Sequence, residues 1–219
     1  MRKANSVVAT TSGIFQRYVV PCWSSVQLSL VAAFCLKVYY EHVANRDARH
    51  LAHFSYLIMI ANACAGLLRY TNDDTYCDLR ILLDYGQLVL ALPLIVTEFL
   101  LKNEVVPAEV AYIPTGIAFA TFLMFIFLEY KRQDLTDLNV ITSILCYIIV
   151  GYAYSLYAFV AGLIFGLNYF LIKRREECFL KKANQFNLLM SAFALMSLLS
   201  LDPNCLNVSD DYPQEFLGE

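Results

Sequence analysis

Long runs of apolar residues, separated by short polar and charged stretches, make up most of the chain. A bilayer core about 30 Å thick needs roughly 20 apolar residues of helix, with about 17 as the lower limit. By that measure the pattern predicts seven transmembrane helices, near residues 20–39, 51–68, 81–101, 109–128, 138–154, 156–172 and 184–201. We therefore expect an all-α seven-helix membrane bundle over 20–201, with a polar segment, 1–19, before it and an acidic tail, 202–219, after it.

The fifth and sixth predicted helices come from one uncharged stretch, residues 138–172. As a single helix, this stretch would reach about 52 Å, far more than a bilayer core. The chain is expected to fold back at Gly151 and the YAYS that follows it, because helices tend to break at glycine and tyrosine prefers the membrane interface.

The basic residues favour the separation of these two helices. With seven spans, the amino terminus and three loops on its side hold most of the 16 lysines and arginines, and the other side keeps only Lys37, Arg46, Arg49 and Lys102. A merged helix would move the basic residues of KRREECFLKK across and remove this bias. The positive-inside rule thus predicts a cytoplasmic amino terminus and an extracellular or luminal carboxyl terminus, in the plasma membrane or an endomembrane.

Composition supports a membrane protein and argues against several other classes. Of the 219 residues, 59% are hydrophobic, above the about 45–50% usual in soluble domains. A net charge of −3 provides no basic field for nucleic acid. The seven cysteines form no C-x-x-C pair, and no hydrolase motif or phosphate-binding glycine loop occurs. We predict no metal site and no enzymatic activity; the expected partners are the lipid bilayer, a second copy or another membrane protein. The tail carries one glycosylation sequon, at Asn207.

Two carboxylates flank the third apolar segment, Asp84 at its start and Glu98 near its end. A carboxylate inside a span costs about 2.5–3.5 kcal/mol on insertion scales, so a functional role facing the bundle is one interpretation. The other is a pair of interfacial ion pairs at a spacing of four residues, Arg80 with Asp84 and Glu98 with Lys102. The sequence leaves both interpretations open.

Several uncharged polar residues lie deeper in the predicted spans, namely Gln27, Asn62, Gln87 and Asn168. Such residues are typical of hydrogen bonds between helices. Pro93, at the middle of the third span, is expected to free a backbone carbonyl and kink the helix. Together these residues also suit a polar path through the bundle, so a small transporter or channel is the alternative function.

A third interpretation uses His50 and His53, whose spacing places both rings on one helical face. With an interfacial acid such as Asp73 or Asp74, they would form the site of a lipid-modifying membrane enzyme. The predicted topology puts the histidines and these acids on opposite sides of the membrane, which disfavours this interpretation.

Seven spans with a cytoplasmic amino terminus is the orientation of heliorhodopsins, and segments of the chain resemble that family. FQRYVVPCWSSVQLSLVA is similar to its opening helix, with Phe15, Arg17 and Gln27 in register after one insertion. LRILLDYGQ is similar to its R-W-x-E-Y-S, again with one insertion, which places Asp84 at the Schiff-base counterion and Tyr85 beside it. FIFLEYKRQ resembles the end of its fourth helix.

The seventh segment, NLLMSAFALMSLLS, is similar to the family's S-L-x-A-K-S-A-L-A-W, but Met190 stands where the retinal-binding lysine would be. A thioether cannot form a Schiff base. The resemblance therefore implies a rhodopsin-like bundle without covalent retinal or another cofactor, acting as a sensor, binding scaffold or partner subunit. The pocket that it implies contains Asp84, Tyr85, Gln27 and Met190.

A different alignment places Pro93, Glu98 and Phe99 on the P-x-x-x-x-E-F spacing of helix three in proteorhodopsin-like pumps. It would put Gln87 at the counterion position and reverse the orientation.

Overall fold

The computed structural model describes residues 20–44, 50–68, 77–128, 133–173 and 179–205. Within these ranges the chain is helical, with short connections and no strand. The predictions for the segment 1–19, for Asp73 and Asp74, and for the sequon at Asn207 lie outside the described residues.

The described ranges contain seven helices close to the predicted positions, so the seven-helix prediction is confirmed. The helices are α1 (Val20–Val38), α2 (Leu51–Leu68), α3 (Cys77–Lys102), α4 (Ile113–Leu128), α5 (Gln133–Tyr154), α6 (Leu156–Leu167) and α7 (Phe179–Leu201). A helical turn, Ala108–Ala111, precedes α4, and π-helical segments, Tyr39–Ala44 and Asn168–Lys173, extend α1 and α6.

Five helical segments of the described chain are long and apolar enough to cross a membrane: Cys22–His42, Leu51–Leu68, Asp78–Lys102, Ala108–Leu128 and Gln133–Tyr154. Two more apolar helices, Leu156–Phe170 and Gln185–Leu201, are shorter.

The helices form a closed ring. Each helix packs against the next one along the chain, and α1 packs against α7, which closes the ring. Helix α3 additionally contacts α5 and α7, and its residues 85–101 are all buried. Polar groups of α3 within 85–101 therefore face the interior of the bundle whichever side of the helix they occupy.

Helices α5 and α6 form a hairpin whose connection is the single extended residue Ser155 (φ −157°, ψ 117°). A β-carbon on Gly151 would lie 2.4 Å from the Phe159 backbone nitrogen, and one on Gly162 would lie 2.8 Å from Ile148 Cγ1. Only glycine permits backbones to approach this closely. The predicted fold-back is confirmed, at the last residue of YAYS rather than at Gly151 itself.

The backbone of α3 is hydrogen-bonded by its neighbours around Pro93. Asn139 of α5 donates to the Val89 carbonyl at 3.2 Å, the carbonyl that the missing Pro93 N–H would otherwise bond. Thr115 of α4 donates to the Pro93 carbonyl at 3.2 Å, and Ser55 of α2 donates to the Ala91 carbonyl at 2.9 Å. Side chains of three helices thus bond backbone carbonyls of α3 near Pro93, and Asn139 bonds the one that proline leaves without its helical partner.

The outside of the bundle is rich in large apolar side chains, and several polar side chains lie within its mostly apolar interior. Large apolar side chains are exposed on the outside, including Trp23 (68%), Phe127 (77%) and Tyr152 (83%). Polar side chains are buried in the interior, among them Glu98 (3%) and Gln87 (0%).

Candidate functional site

The carboxylate of Glu98 is buried between three helices. Tyr39, the first residue of the π-helical extension of α1, donates its hydroxyl to Glu98 Oε1 at 3.0 Å. The backbone N–H of Leu51, the first residue of α2, donates to Oε2 at 2.9 Å. Both carboxylate oxygens are therefore hydrogen-bonded, one by a side chain and one by a helix end.

The position of Leu51 explains why an anion is stable there. The first N–H groups of a helix have no partner within the helix and carry partial positive charge, so a carboxylate is favoured. Sequence neighbours usually supply such a cap. Here Glu98 supplies it from α3, so one residue both caps α2 and joins it to α1 and α3.

The predicted ion pair between Glu98 and Lys102 is wrong. The Lys102 ammonium donates to the Leu201 carbonyl at the end of α7, where the helix dipole favours a cation. The four-residue spacing places the side chains of Glu98 and Lys102 on one face of α3. In the structure, however, each of them bonds a group on another helix. The ion pair between described side chains is Lys37 with Glu41, both exposed, at 3.8 Å.

Two further tyrosine hydroxyls are fully buried at the same end of the bundle. Tyr56 of α2 lies 3.2 Å from the Ser197 hydroxyl, and Tyr147 of α5 lies 2.6 Å from the Ser200 hydroxyl. The rings of Tyr39 and Tyr56 meet edge to face, with centroids 6.2 Å apart. A polar cluster built from α1, α2, α3, α5 and α7 therefore surrounds the region of Glu98.

An amide pair lies nearer the opposite end of α3. Asn62 of α2 donates through Nδ2 to Gln87 Oε1. The side chain of Gln87 is fully buried, yet its Nε2 has no hydrogen-bond partner among the described residues. Asn168, at the start of the second π-helical segment, donates to the Phe186 carbonyl, and in the described part of the chain its Oδ1 likewise lacks a partner. Both are deep polar residues that the sequence pointed to.

The residues of the pocket implied by the resemblance do not all come together. Tyr85 packs on Phe122 and Phe125 of α4, and its hydroxyl lies 2.8 Å from that of Thr136 on α5. Met190 is 1% exposed and belongs to the main core, apart from the smaller cluster that contains Tyr85. Tyr85 is thus directed toward α4 and α5 and lies outside a pocket around Met190.

The other two residues of that pocket, Gln27 of α1 and Asp84 of α3, are partly buried. The pairing of Asp84 with Arg80 stays a prediction. On α1, Ser24 and Ser25 accept hydrogen bonds from Asn187 of α7 at 3.2 and 3.3 Å, which joins the first and last helices at this end.

The histidine pair lies at the start of α2, beside the Glu98 cluster. The rings of His50 and His53 are 6.5 Å apart between centroids and meet edge to face. Within the described residues, no group of three His, Cys, Asp or Glu side chains could hold a metal ion.

Sequence reasoning missed Tyr39, Tyr56 and Tyr147. A buried tyrosine usually needs a partner for its hydroxyl, so tyrosines inside apolar helices were a usable signal. With 15 tyrosines in the chain, however, this signal does not say which of them are buried.

Comparisons of the chain with protein-family models, with curated proteins and with solved structures return no match. The geometry of the bundle connects helices through the hydrogen bonds of Glu98 and of the buried tyrosines, and it leaves Gln87 able to donate a hydrogen bond from Nε2.

Proposed function

We propose that the protein is an integral membrane protein that crosses the bilayer seven times and has no enzymatic activity. The observation that carries this proposal is the side-chain distribution, with many large apolar residues exposed and Glu98 and Gln87 buried. Exposed apolar surface of this extent is unfavourable in water and favourable in lipid, while buried polar groups avoid lipid by facing the bundle.

The lengths of α6 and α7 are compatible with seven crossings. Helix α6 and its π-helical extension run from Leu156 to Lys173, and α7 has 23 residues, against the roughly 20 that a bilayer core needs. In the proposed orientation the starts of α1, α3, α5 and α7 face the cytoplasm, and the end that contains Glu98 faces the outside or the lumen of an endomembrane.

Impermeant maleimide labelling of cysteines introduced at exposed sites tests this orientation. Gln133→Cys lies at the start of α5 and Asn204→Cys beyond the end of α7, both at exposed positions. In sealed right-side-out vesicles, mass spectrometry should find label at 204 and none at 133 until the vesicles are opened. Equal labelling of both sites from one side would reject an odd number of spans between them.

For the role of the bundle, we propose a sensor, binding scaffold or partner subunit of heliorhodopsin-like organisation, working with a second copy or another membrane protein. Support comes from the closed ring, the central position of α3, and the burial of Met190 within the core. The proposed pocket keeps Asp84, Gln27 and Met190 and leaves out Tyr85. Met190 does not fit covalent retinal, because a Schiff base requires an amine.

Reconstitution with all-trans retinal tests this organisation. The native chain should stay colourless, whereas Met190→Lys should form a visible band that hydroxylamine removes. Met196→Lys, at a partly buried position of the same helix, is the matched control for nonspecific Schiff-base formation. A colourless Met190→Lys chain that still folds would withdraw the heliorhodopsin-like organisation and leave the seven-span proposal standing.

A second candidate function is a small transporter or channel, and the unpartnered Nε2 of fully buried Gln87 favours it. A donor held in the bundle without a protein acceptor is suited to a passing water or polar solute. Proton or ion flux through liposomes containing the protein, reduced in Gln87→Leu or Asp84→Asn, would support this function. The absence of flux above empty liposomes would exclude it.

A further inference from the structure

Three unusual features meet at Glu98. The carboxyl group is 3% exposed. Its partner Tyr39 opens a π-helical segment, and its other partner, Leu51, directly follows His50, which has a positive φ of 49°. Left-handed backbone is unfavourable for a residue with a β-carbon, and strained backbone and π-helical turns cluster at functional and switching sites. The surrounding structure therefore holds Tyr39 and His50 in these unfavourable backbone conformations at a cost in local stability.

We propose that Glu98 is a proton-binding site that works as a latch. The Glu98 latch consists of the Glu98 carboxylate, the Tyr39 hydroxyl and the Leu51 amide. Ionised, Glu98 accepts from both donors and holds the end of α1 and the start of α2 on α3. One proton converts the carboxylate into a neutral carboxylic acid, which can donate to the Tyr39 hydroxyl and still accept from the Leu51 amide. Both contacts then lose their charge assistance and become weaker, so the end of α1 and the start of α2 are held less firmly on α3.

The location of Glu98 allows proton exchange with water. The residue lies one helical turn before Lys102, which ends α3 and is itself exposed. In the proposed orientation this end faces the extracellular or luminal side. The inference rests on that part of the proposed function and adds to it the stimulus of the sensor, a change in pH on that side.

Other titratable groups at this end of the bundle must be separated from Glu98. Among the described residues, the carboxylates and histidines at this end are Glu41 and His42 after α1, His50 and His53 from α2, Glu104 and Glu109 between α3 and α4, and Asp202 after α7. Tyrosines, cysteines and lysines also lie there, but these side chains keep their protons throughout an acid titration. The groups that can imitate Glu98 are therefore the three histidines and the carboxylates of Glu41, Glu104, Glu109 and Asp202.

Hydrogen exchange of the full chain in lipid nanodiscs tests the latch. The measured quantity is the protection factor of each amide in the first turns of α2, at about pH 7.5 and about pH 4. A protection factor is already corrected for the intrinsic pH dependence of exchange. In the native chain we expect these protection factors to fall about tenfold on acidification, the change expected when charge-assisted hydrogen bonds become neutral ones. Glu98→Gln, which imitates the protonated acid, should show the low protection at both pH values.

Variants of the other carboxylates and histidines at this end serve as controls. Glu109→Gln removes an exposed carboxylate near the same end and should keep the native response. His50→Asn, which tolerates the positive φ, His53→Gln and Asp202→Asn should also keep it, and so should Glu41→Gln, His42→Gln and Glu104→Gln. The proposal is overturned if native protection is independent of pH, if Glu98→Gln retains the response, or if one of the control variants abolishes it. These outcomes are independent of the maleimide and retinal results, so each proposal fails separately.

Discussion

Asn139 donates its side-chain amide to the carbonyl of Val89, the acceptor that Pro93 cannot use because proline has no N–H. Asn139 lies on α5 and Val89 on α3, so a neighbouring helix supplies the hydrogen bond that α3 lacks at Pro93. This hydrogen bond also attaches α5 to the helix at the centre of the bundle.

The first prediction concerns this repair. Asn139→Leu should lower the free energy of unfolding by about 1–3 kcal/mol, because it leaves the buried Val89 carbonyl unpaired. In a Pro93→Ala background the same change should cost much less, since the alanine N–H can bond Val89. Reversible unfolding in mixed micelles measures this double-mutant cycle. Thr142→Val, which removes a hydroxyl that bonds only within α5, is the control. Equal costs of Asn139→Leu in both backgrounds would show that its role is unrelated to proline.

The second prediction concerns the α5–α6 hairpin. Gly151→Ala should destabilise the fold by about 1–3 kcal/mol, because its β-carbon would overlap the backbone of α6. Gly116→Ala is the matched control, since a β-carbon there meets no atom within 4 Å. It should stabilise α4 by about 0.5–1 kcal/mol, the helix-propensity difference between alanine and glycine. Similar effects of the two substitutions on thermal unfolding would contradict the close packing of the hairpin.

The third prediction uses the Asn62–Gln87 pair. Asn62→Leu should be more destabilising than Gln87→Leu, because it leaves both polar atoms of the Gln87 amide unpaired, while Gln87→Leu removes a donor that already lacks a partner. The double variant should regain most of the lost stability, since replacing both partners with apolar groups is nearly neutral. The unfolding midpoints of the native chain, the two single variants and the double variant measure these differences in stability. A double variant as unstable as the sum of the single ones would argue against the pairing.

The fourth prediction concerns Cys205, which follows α7. Burial is the main cause that raises the pKa of the Cys205 thiol, and the Asp202 carboxylate raises it further. The Lys102 ammonium lowers this pKa. The thiolate is the reactive form, so maleimide should modify Cys205 more slowly than a free cysteine at about pH 8. Asp202→Asn should speed the reaction and Lys102→Met should slow it. Rates followed by mass spectrometry test this order, and its reversal would refute the electrostatic explanation.

The same shift has a consequence for stability. Because the folded state raises the pKa of Cys205, it binds the thiol proton more tightly than the unfolded chain. This contribution is fully present below the unfolded pKa of about 8.5 and is lost as the pH rises through the folded value. Cys205→Ser should therefore reduce the loss of stability on the alkaline side and leave the acid side unchanged.

The positions of the seven helices could be predicted from the sequence, and so could the break between α5 and α6. Both depend on local properties, the length of an apolar run and the composition at its ends. The α5–α6 break fell at Ser155, the end of the predicted YAYS segment. The effect of Pro93 could also be predicted, because proline in any helix leaves the carbonyl four residues earlier without its N–H partner.

Which groups meet inside the bundle was decided by the tertiary structure alone. The partners of Glu98 lie 59 and 47 residues away in sequence, and the four-residue spacing to Lys102 pointed to the wrong contact. Tyr85 turned toward α4 and α5 rather than toward Met190 for the same reason. Apolar length determines that a helix forms, whereas the direction of each side chain depends on how that helix is rotated against its neighbours, and this rotation depends on the packing of the whole ring.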